Sequence, residues 1–193
     1  MLETERLSVL ASLMLICLVT TAHADDNQVV WFDFSKPDAA KQWQTVNDGV
    51  MGGISDGRFK ITDIKTMEFY GTLSLENNGG FASVRSRPMK FNLKAGDSVA
   101  VRVRGDGREY SLNLYVPRDS GRYSFRQTFK TKKGKWIEVS LPADKFFATW
   151  RGRVFPDQKL DPSKINSLGF LLGDRKAGPF KLEVDWIKVT EGR

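Results

Sequence analysis

Apolar and polar residues alternate over short segments along most of this chain. The pattern is clearest between Ser98 and Arg104, where Val99, Val101 and Val103 lie on one side of an extended backbone. A period of two predicts half-buried antiparallel strands. Comparable segments are 29–34, 58–62, 67–76, 80–86, 109–116, 122–129, 135–141, 165–172 and 179–189.

Turn-forming residues separate these segments, and no long amphipathic helix is present. Short helical turns are predicted at Lys36–Trp43 and around Pro142–Phe146. Roughly ten antiparallel strands at this spacing predict an all-β fold, a jelly-roll β-sandwich. The apolar alternation assigns Trp136 and Trp186 to the core, because one opens a strand and the other continues the apolar side of the last strand.

The first residues have a different character. Val9–Val19 is uniformly apolar and too short to cross a bilayer comfortably, and Ala22-His23-Ala24 has the small-residue pattern of a signal-peptidase site. The sequence therefore predicts a signal peptide at residues 1–24, cleaved after Ala24. It also predicts a single domain at residues 25–193 and a secreted or periplasmic location.

Composition then limits the chemistry. The single cysteine, Cys17, and the single histidine, His23, both lie in the predicted leader. Without them the domain has no thiolate nucleophile, no histidine base and no ligands for a soft metal. What remains are carboxylates, Lys, Tyr, Arg and oxygen ligands for a hard cation. Asp33 and Asp185 are weak candidates for calcium, and no cofactor is predicted.

Glycine and turn-forming residues are concentrated in the segment Trp43–Phe59, and a second glycine pair precedes Phe81. Such loops form either tight hairpins and bulges or backbone cradles for a ligand, and the first interpretation is favoured. The candidate binding residues in these loops are Asn47, Asp48, Met51, Gly52, Gly53, Asn78 and Gly80.

Four blocks of sequence follow one another in a recognisable order: Val46–Ser55, Phe69–Arg85, Arg104–Tyr110 and Phe129–Pro142. Together they resemble the complex I intermediate-associated protein 30 family, from about Trp31 to Val189. The resemblance implies a galactose-binding-like jelly roll. It also implies a chaperone-like role, because the family's mitochondrial members help to assemble respiratory complex I and are not oxidoreductases. We therefore expect a non-catalytic binding or assembly module for an envelope protein complex.

The predicted exposed aromatic and basic residues leave one alternative open, which is a carbohydrate-binding module. Its ligand would be a polysaccharide, and an acidic polysaccharide is one possibility. Tyr115 lies on the polar side of its strand, and Trp150 and Arg151 lie in an irregular basic stretch, so these three are further binding candidates. The formal net charge of +7 also suits an acidic partner or peripheral contact with an anionic membrane surface. No nucleic-acid partner is predicted.

Carboxylates supply a third hypothesis, a glycan-active enzyme that uses a pair of acidic residues. Asp residues in Asp-Gly turns more often have a structural role, so the chain is predicted not to be an enzyme. The acidic residues considered are Asp48, Asp56, Glu68, Glu76 and Asp106. Neither the partner nor the oligomeric state follows from the sequence.

Overall fold

Thirteen strands and several short 3-10 turns make up the described part of the computed structural model, which comprises residues 28–117 and 121–192. The strands are β1 (Gln28–Phe32), β2 (Trp43–Thr45), β3 (Asp56–Ile61), β4 (Met67–Leu73), β5 (Ala82–Ser86), β6 (Ser98–Gly105), β7 (Glu109–Tyr115), β8 (Ser124–Lys130), β9 (Trp136–Pro142), β10 (Phe147–Trp150), β11 (Arg153–Phe155), β12 (Ser167–Leu172) and β13 (Gly178–Thr190). The predicted all-β class is confirmed.

The strands form two antiparallel sheets. Sheet A has the order β3-β4-β13-β6-β9, and β1 pairs with the C-terminal part of β13 beyond the end of β4. Sheet B has the order β11-β10-β8-β7-β12-β5-β2. Consecutive strands often lie in different sheets, as expected for a sandwich in which long connections cross between layers.

The alternating apolar residues meet between the two sheets. Val99, Val101 and Val103 of β6 are fully buried, as are Leu112 and Leu114 of β7. Their polar neighbours lie on the outer faces, which is the arrangement that a period of two requires of a half-buried strand. The hydrophobic effect of this burial is the main favourable contribution to the fold.

The alternation of buried and outward-facing residues in β13 is interrupted midway along the strand. Its pairing with β6 shifts register between Val184 and Trp186, so Asp185 forms a bulge. As a result Ile187 is fully buried, whereas Trp186 lies on the outer face with Lys188 4.2 Å from its ring centre. The prediction that Trp186 continues the core face is wrong because strict alternation does not survive a bulge.

Trp136 also differs from its prediction. It is only partly buried and lies on the outer face of sheet A. Its neighbour Ile137 lies on the other face of the sheet and packs against the core. Arg102 and Arg104 lie 4.9 and 4.8 Å from its ring centre. The tryptophan therefore packs beneath two guanidinium groups.

Ten predicted strand segments correspond to ten observed strands, and three short strands, β2, β10 and β11, were missed. Each has only three or four residues, too few to show a period. Both predicted helical turns are present as 3-10 turns, at Ala39–Gln42 and Ala143–Lys145. The predicted signal peptide lies outside the described residues. Across 28–117 and 121–192, no helix has the length and apolar character needed to span a membrane.

Candidate functional site

The glycine-rich segment is organised around one buried carboxylate. Asp48 is fully buried and accepts hydrogen bonds from the Ser55 hydroxyl at 2.6 Å and from the Ser55 backbone N–H at 2.9 Å. It also accepts from the backbone N–H groups of Gly80 at 2.7 Å and Phe81 at 3.3 Å. We call these contacts the Asp48 bridge, because they join the loop before β3 to the loop before β5.

The Asp48 carboxylate is stabilised in its charged form. Burial alone would raise the pKa of Asp48, but the Ser55 hydroxyl and the backbone donors outweigh it and hold the pKa below its ordinary value. The two neighbouring glycines, Gly53 and Gly79, leave no room for side chains because a Cβ on either would collide with the carboxylate. This steric requirement explains one glycine of each pair in the motif.

Asn47 makes a second connection at the same place. Its amide Nδ2 donates to the Gly57 carbonyl at 2.9 Å, and its Oδ1 is buried without a hydrogen-bond partner among the described residues. Gly52 and Asn78 have positive φ values of 91° and 58°, so the backbone of each adopts a left-handed conformation within a turn. The structure places these predicted site residues, with Gly53 and Gly80, in the two loops that Asp48 joins, and their hydrogen bonds are with residues of those loops and of the start of β3.

Large apolar side chains project from these loops. Val50, Met51 and Ile54 are 73%, 51% and 54% exposed, and Leu75 on the adjoining loop is 46% exposed. We call these four residues the apolar loop surface. The loops that carry it are held by the Asp48 bridge, so the side chains stand on a fixed backbone.

A second family motif, Arg104–Tyr110, also forms internal contacts. Asp106 accepts from the Tyr110 hydroxyl at 3.0 Å and from the Lys181 backbone N–H at 2.9 Å. Arg108 donates to both oxygens of Asp174, and this ion pair is nearly buried, with side chains 12% and 7% exposed. The motif therefore fixes the start of β7 against β13 and the loop before it.

Two of the other three carboxylates considered for catalysis pair with cations, whereas Glu76 is exposed and has no ion pair among the described residues. Asp56 pairs with Arg58 on the surface, and Glu68 pairs with Lys60 and Lys181. The two calcium candidates lie near paired strands but have separate roles. Asp33 accepts from the Ser35 backbone and hydroxyl, and Asp185 pairs with Arg102. No group of three acidic, histidine or cysteine residues is arranged as a metal site within the described part of the chain.

The aromatic candidates are associated with cations. Arg85 lies 4.6 Å from the ring centre of Tyr115. Trp150 has Arg151 at 5.1 Å and Arg122 at 5.9 Å from its ring centre. Tyr115 and Trp150 lie on different strands of sheet B, and within the described residues no hydrogen bond joins either side chain to the Asp48 bridge.

Four side chains form a group on the outer face of sheet B, and the sequence predicts only one of them, Tyr115, as a binding candidate. Arg126 donates from Nε to Asn113 Oδ1 at 3.2 Å, and Asn113 donates from Nδ2 to the Tyr115 hydroxyl at 3.3 Å. Arg85 covers the ring of that tyrosine. Alternation within β5, β7 and β8 places each residue on the outer face, but their proximity depends on strand order, which a single sequence does not reveal.

Comparison with known proteins relates this chain to one family. Residues 32–184 match the family model described as complex I intermediate-associated protein 30. The mitochondrial complex I intermediate-associated protein 30 of Mus musculus is 32% identical over 84% of this chain and 56% of its own length. The Drosophila melanogaster protein of that name is 26% identical over 82% of this chain and 61% of its own length. The chain thus spans less than two thirds of either relative.

The structural comparison bears on the fold alone. A family 11 carbohydrate-binding module from Clostridium thermocellum superimposes with a TM-score of 0.65 at 16% identity, covering 86% of this chain and 96% of the module.

The predicted secreted or periplasmic location is wrong, because the mouse, fly, nematode and Neurospora relatives are all named mitochondrial. The family assignment rests on the match of residues 32–184 and on the sequence identity to the mouse relative. The chain belongs to the complex I intermediate-associated protein 30 family.

Proposed function

We propose that this chain is a non-catalytic module that binds a protein intermediate of mitochondrial complex I. Family membership supports a complex I intermediate as the partner. The internal hydrogen bonds of Asp48 and Asp106 favour a structural role for the carboxylates over a catalytic one. Both are occupied by backbone donors, so neither is presented to a substrate in the way that a general acid or base requires.

The observation that carries the proposal is the apolar loop surface. Exposed Val50, Met51 and Ile54 interact unfavourably with water, and burying them against a partner would remove that apolar area from solvent. The Asp48 bridge holds their backbone in place, so association requires little ordering of the loop. An exposed apolar group on a preorganised loop suits protein binding.

The test is recovery of a complex I intermediate with the affinity-tagged chain, expressed in cells that assemble complex I. Complex I subunits should be recovered with the parent and detected by native gel and mass spectrometry. Val50→Ser and Met51→Ser should each reduce recovery about fivefold or more, because truncating a central apolar contact costs about 1–2 kcal/mol.

Ile64→Ser is the matched control. Ile64 is 68% exposed in the turn between β3 and β4, outside the apolar loop surface, so its substitution should leave recovery unchanged. Absence of complex I subunits from the parent sample would contradict the proposed function. An equal loss with all three variants would contradict the role assigned to the apolar loop surface.

Carbohydrate binding is the alternative, and the aromatic side chains weigh against it. Sugar recognition needs free aromatic faces for stacking. Cations lie against the rings of five partly exposed aromatic residues, which are Tyr70, Tyr115, Trp136, Trp150 and Trp186. Phe147, which is 37% exposed, has no cation against its ring among the described residues. A glycan array with the parent chain tests this alternative. A saturable signal that Tyr115→Ala or Trp150→Ala abolishes would favour it over the protein-binding proposal.

A further inference from the structure

A row of directly paired residues crosses the outer face of sheet B. The register aligns six neighbouring strands from β2 to β10 at one level. In spatial order the row contains Gln44, Arg85, Gly169, Asn113, Arg126 and Phe147. The residues next to them along the strands, such as Val84, Leu112 and Phe170, are buried in the core, so the row lies on the opposite face.

Both arginines in this row reach toward β7. Gly169 has no side chain, and a Cβ there would come within 3.0 Å of Arg85 Cγ, so the arginine stem crosses β12 over the glycine. The Arg85 guanidinium reaches the ring of Tyr115 on β7. From β8, on the other side of β7, Arg126 reaches Asn113, which lies on β7 like Tyr115. Two positive groups therefore converge on one strand.

These two arginines lack the carboxylate partners that the other partly buried arginines in the described residues have. Arg102, Arg104 and Arg108 each pair with a carboxylate. Among the described residues no carboxylate lies within ion-pair distance of Arg85 or Arg126, although both are partly buried. Each uses Nε for one neutral hydrogen bond, to Ser83 and Asn113 respectively, and no other residue in 28–117 or 121–192 contacts the terminal nitrogens through a hydrogen bond.

Like charges that converge without a counter-charge are unfavourable. Burial lowers the pKa of Arg126, the Tyr115 hydroxyl partly opposes this effect, and the positive charge of Arg85 adds to the lowering. Partly buried charges are ordinarily paired, and an anion between two guanidinium groups would make charge-assisted hydrogen bonds with their free N–H groups. Asn113 is almost fully buried and holds Arg126 in orientation, so the donors are fixed before an anion arrives.

We propose that Arg85 and Arg126, oriented by Tyr115 and Asn113, bind the carboxylate of an acidic side chain on the partner protein. We call these four residues the Arg85–Arg126 face. This inference rests on the proposed function, because it names the chemistry that the protein partner presents. A planar carboxylate matches the paired donors of a guanidinium group.

The surroundings of this face favour a polypeptide over a small anion. Phe147 follows Arg126 in the row and is 37% exposed. Together with Val154 and Leu160 it lines a surface cavity of about 640 Å³. A partner segment with an acidic residue next to an apolar one would place its carboxylate on the arginines and its apolar side chain in this cavity. Inorganic phosphate offers only the first of these contacts.

The experiment follows the side-chain Nε–Hε signals of Arg85 and Arg126 by nuclear magnetic resonance of the full chain. The probe is the capped peptide Ac-Glu-Phe-Glu-NH2, and the matched peptide is Ac-Gln-Phe-Gln-NH2. The glutamate peptide should shift both arginine signals saturably and bind about tenfold or more tightly than the glutamine peptide. Arg85→Gln and Arg126→Gln should each weaken binding by a similar factor, since each removes one charged donor.

Arg153→Gln removes the same charge from an exposed position on β11 and should leave binding unchanged. Backbone amide spectra establish that each variant is folded. Equal binding of the two peptides would overturn the proposal. So would saturation by inorganic phosphate or phosphatidylglycerol vesicles without binding of the glutamate peptide, because either result would assign the face to a phosphate group.

Recovery of complex I subunits separates this inference from the proposed function. If the parent recovers no subunits but binds the glutamate peptide at the Arg85–Arg126 face, the complex I proposal fails and the carboxylate site stands. If the parent recovers subunits, while Arg85→Gln and Arg126→Gln recover them equally and the peptide does not bind, the carboxylate site fails and the proposed function stands.

Discussion

The carboxylate of Asp48 accepts a 2.7 Å hydrogen bond from the backbone N–H of Gly80, across 32 positions of the sequence. This bond fastens the loop before β3 to the loop before β5, at a point where glycines leave space for little else. The glycine-rich motif is thus a device for holding two loops together. Its consequences for stability can be measured directly.

Asp48→Asn should lower the free energy of unfolding by about 1–3 kcal/mol, because an amide cannot accept hydrogen bonds at both positions where backbone and hydroxyl donors approach. Urea unfolding, followed by tryptophan fluorescence, gives the midpoint. Asp56→Asn is the control, since Asp56 is exposed and its pair with Arg58 should contribute at most about 1 kcal/mol. Equal midpoints for Asp48→Asn and the parent would show that the bridge does not stabilise the fold.

Stability should also fall in acid. Burial acts to raise the pKa values of Asp48 and Asp174, but hydrogen bonds, together with Arg108 beside Asp174, hold both below their ordinary value. The folded state therefore binds protons less readily than the unfolded chain, whose aspartates titrate near about 3.9. This stabilisation is complete about one pH unit above that value and is lost as pH falls through the lower folded pKa values.

Urea unfolding at a series of pH values tests this dependence. The parent should lose stability steadily below about pH 4.5, and Asp48→Asn should show a shallower loss because one of the titrating groups is absent. An unchanged slope in Asp48→Asn would mean that Asp48 titrates alike in the folded and unfolded chains.

Asp174→Ala should destabilise the chain by about 3 kcal/mol, because it leaves the Arg108 guanidinium largely buried without a counter-charge. Carbonyl groups of the loop before β13 and of its first residues still accept hydrogen bonds from that guanidinium, but they carry no full charge. The comparison is Glu191→Ala, which breaks the exposed Lys94–Glu191 pair and should cost at most about 1 kcal/mol. Similar losses of unfolding free energy in the two variants would contradict the larger contribution to stability expected from the Arg108–Asp174 pair.

The bulge in β13 predicts an inverted order of sensitivity between two neighbours. Ile187→Ala should cost about 2–5 kcal/mol because it leaves a cavity in the core. Trp186→Ala should cost less despite the larger side chain, because Trp186 lies on the outer face against Lys188. Thermal or urea unfolding of the two variants decides the order, and a greater loss for Trp186→Ala would mean that the tryptophan faces the core.

Much of the fold follows from sequence pattern, because a period of two directly reports which side of a strand is buried. Val99, Val101 and Val103 were assigned to one face for this reason, and they are all buried. The pattern fails where the backbone departs from regular pairing. Asp185 shifts the register by one residue, and nothing in its local sequence distinguishes it from an ordinary outward-facing aspartate.

The candidate sites were harder to predict. Glycine content drew attention to Asn47, Asp48 and Gly53, yet a sequence does not reveal that a carboxylate occupies the space the glycines leave. The neighbourhood of Arg85 and Arg126 arises because β12 and β7 lie between β5 and β8 in sheet B. That order is a property of the whole topology, so alternation within single strands could not bring the two arginines together.

The Asp48 bridge separates two kinds of constraint on this loop. Substitution of Asp48, Gly53 or Gly79 is opposed by folding itself, whatever the protein binds. Val50 and Met51 have no such restriction, since their side chains lie mainly in solvent. Substitutions at the exposed residues can therefore alter what this loop contacts while the motif and the fold remain intact. Recognising the motif in a new sequence identifies the scaffold, and the partner must be sought in the residues that the motif leaves free.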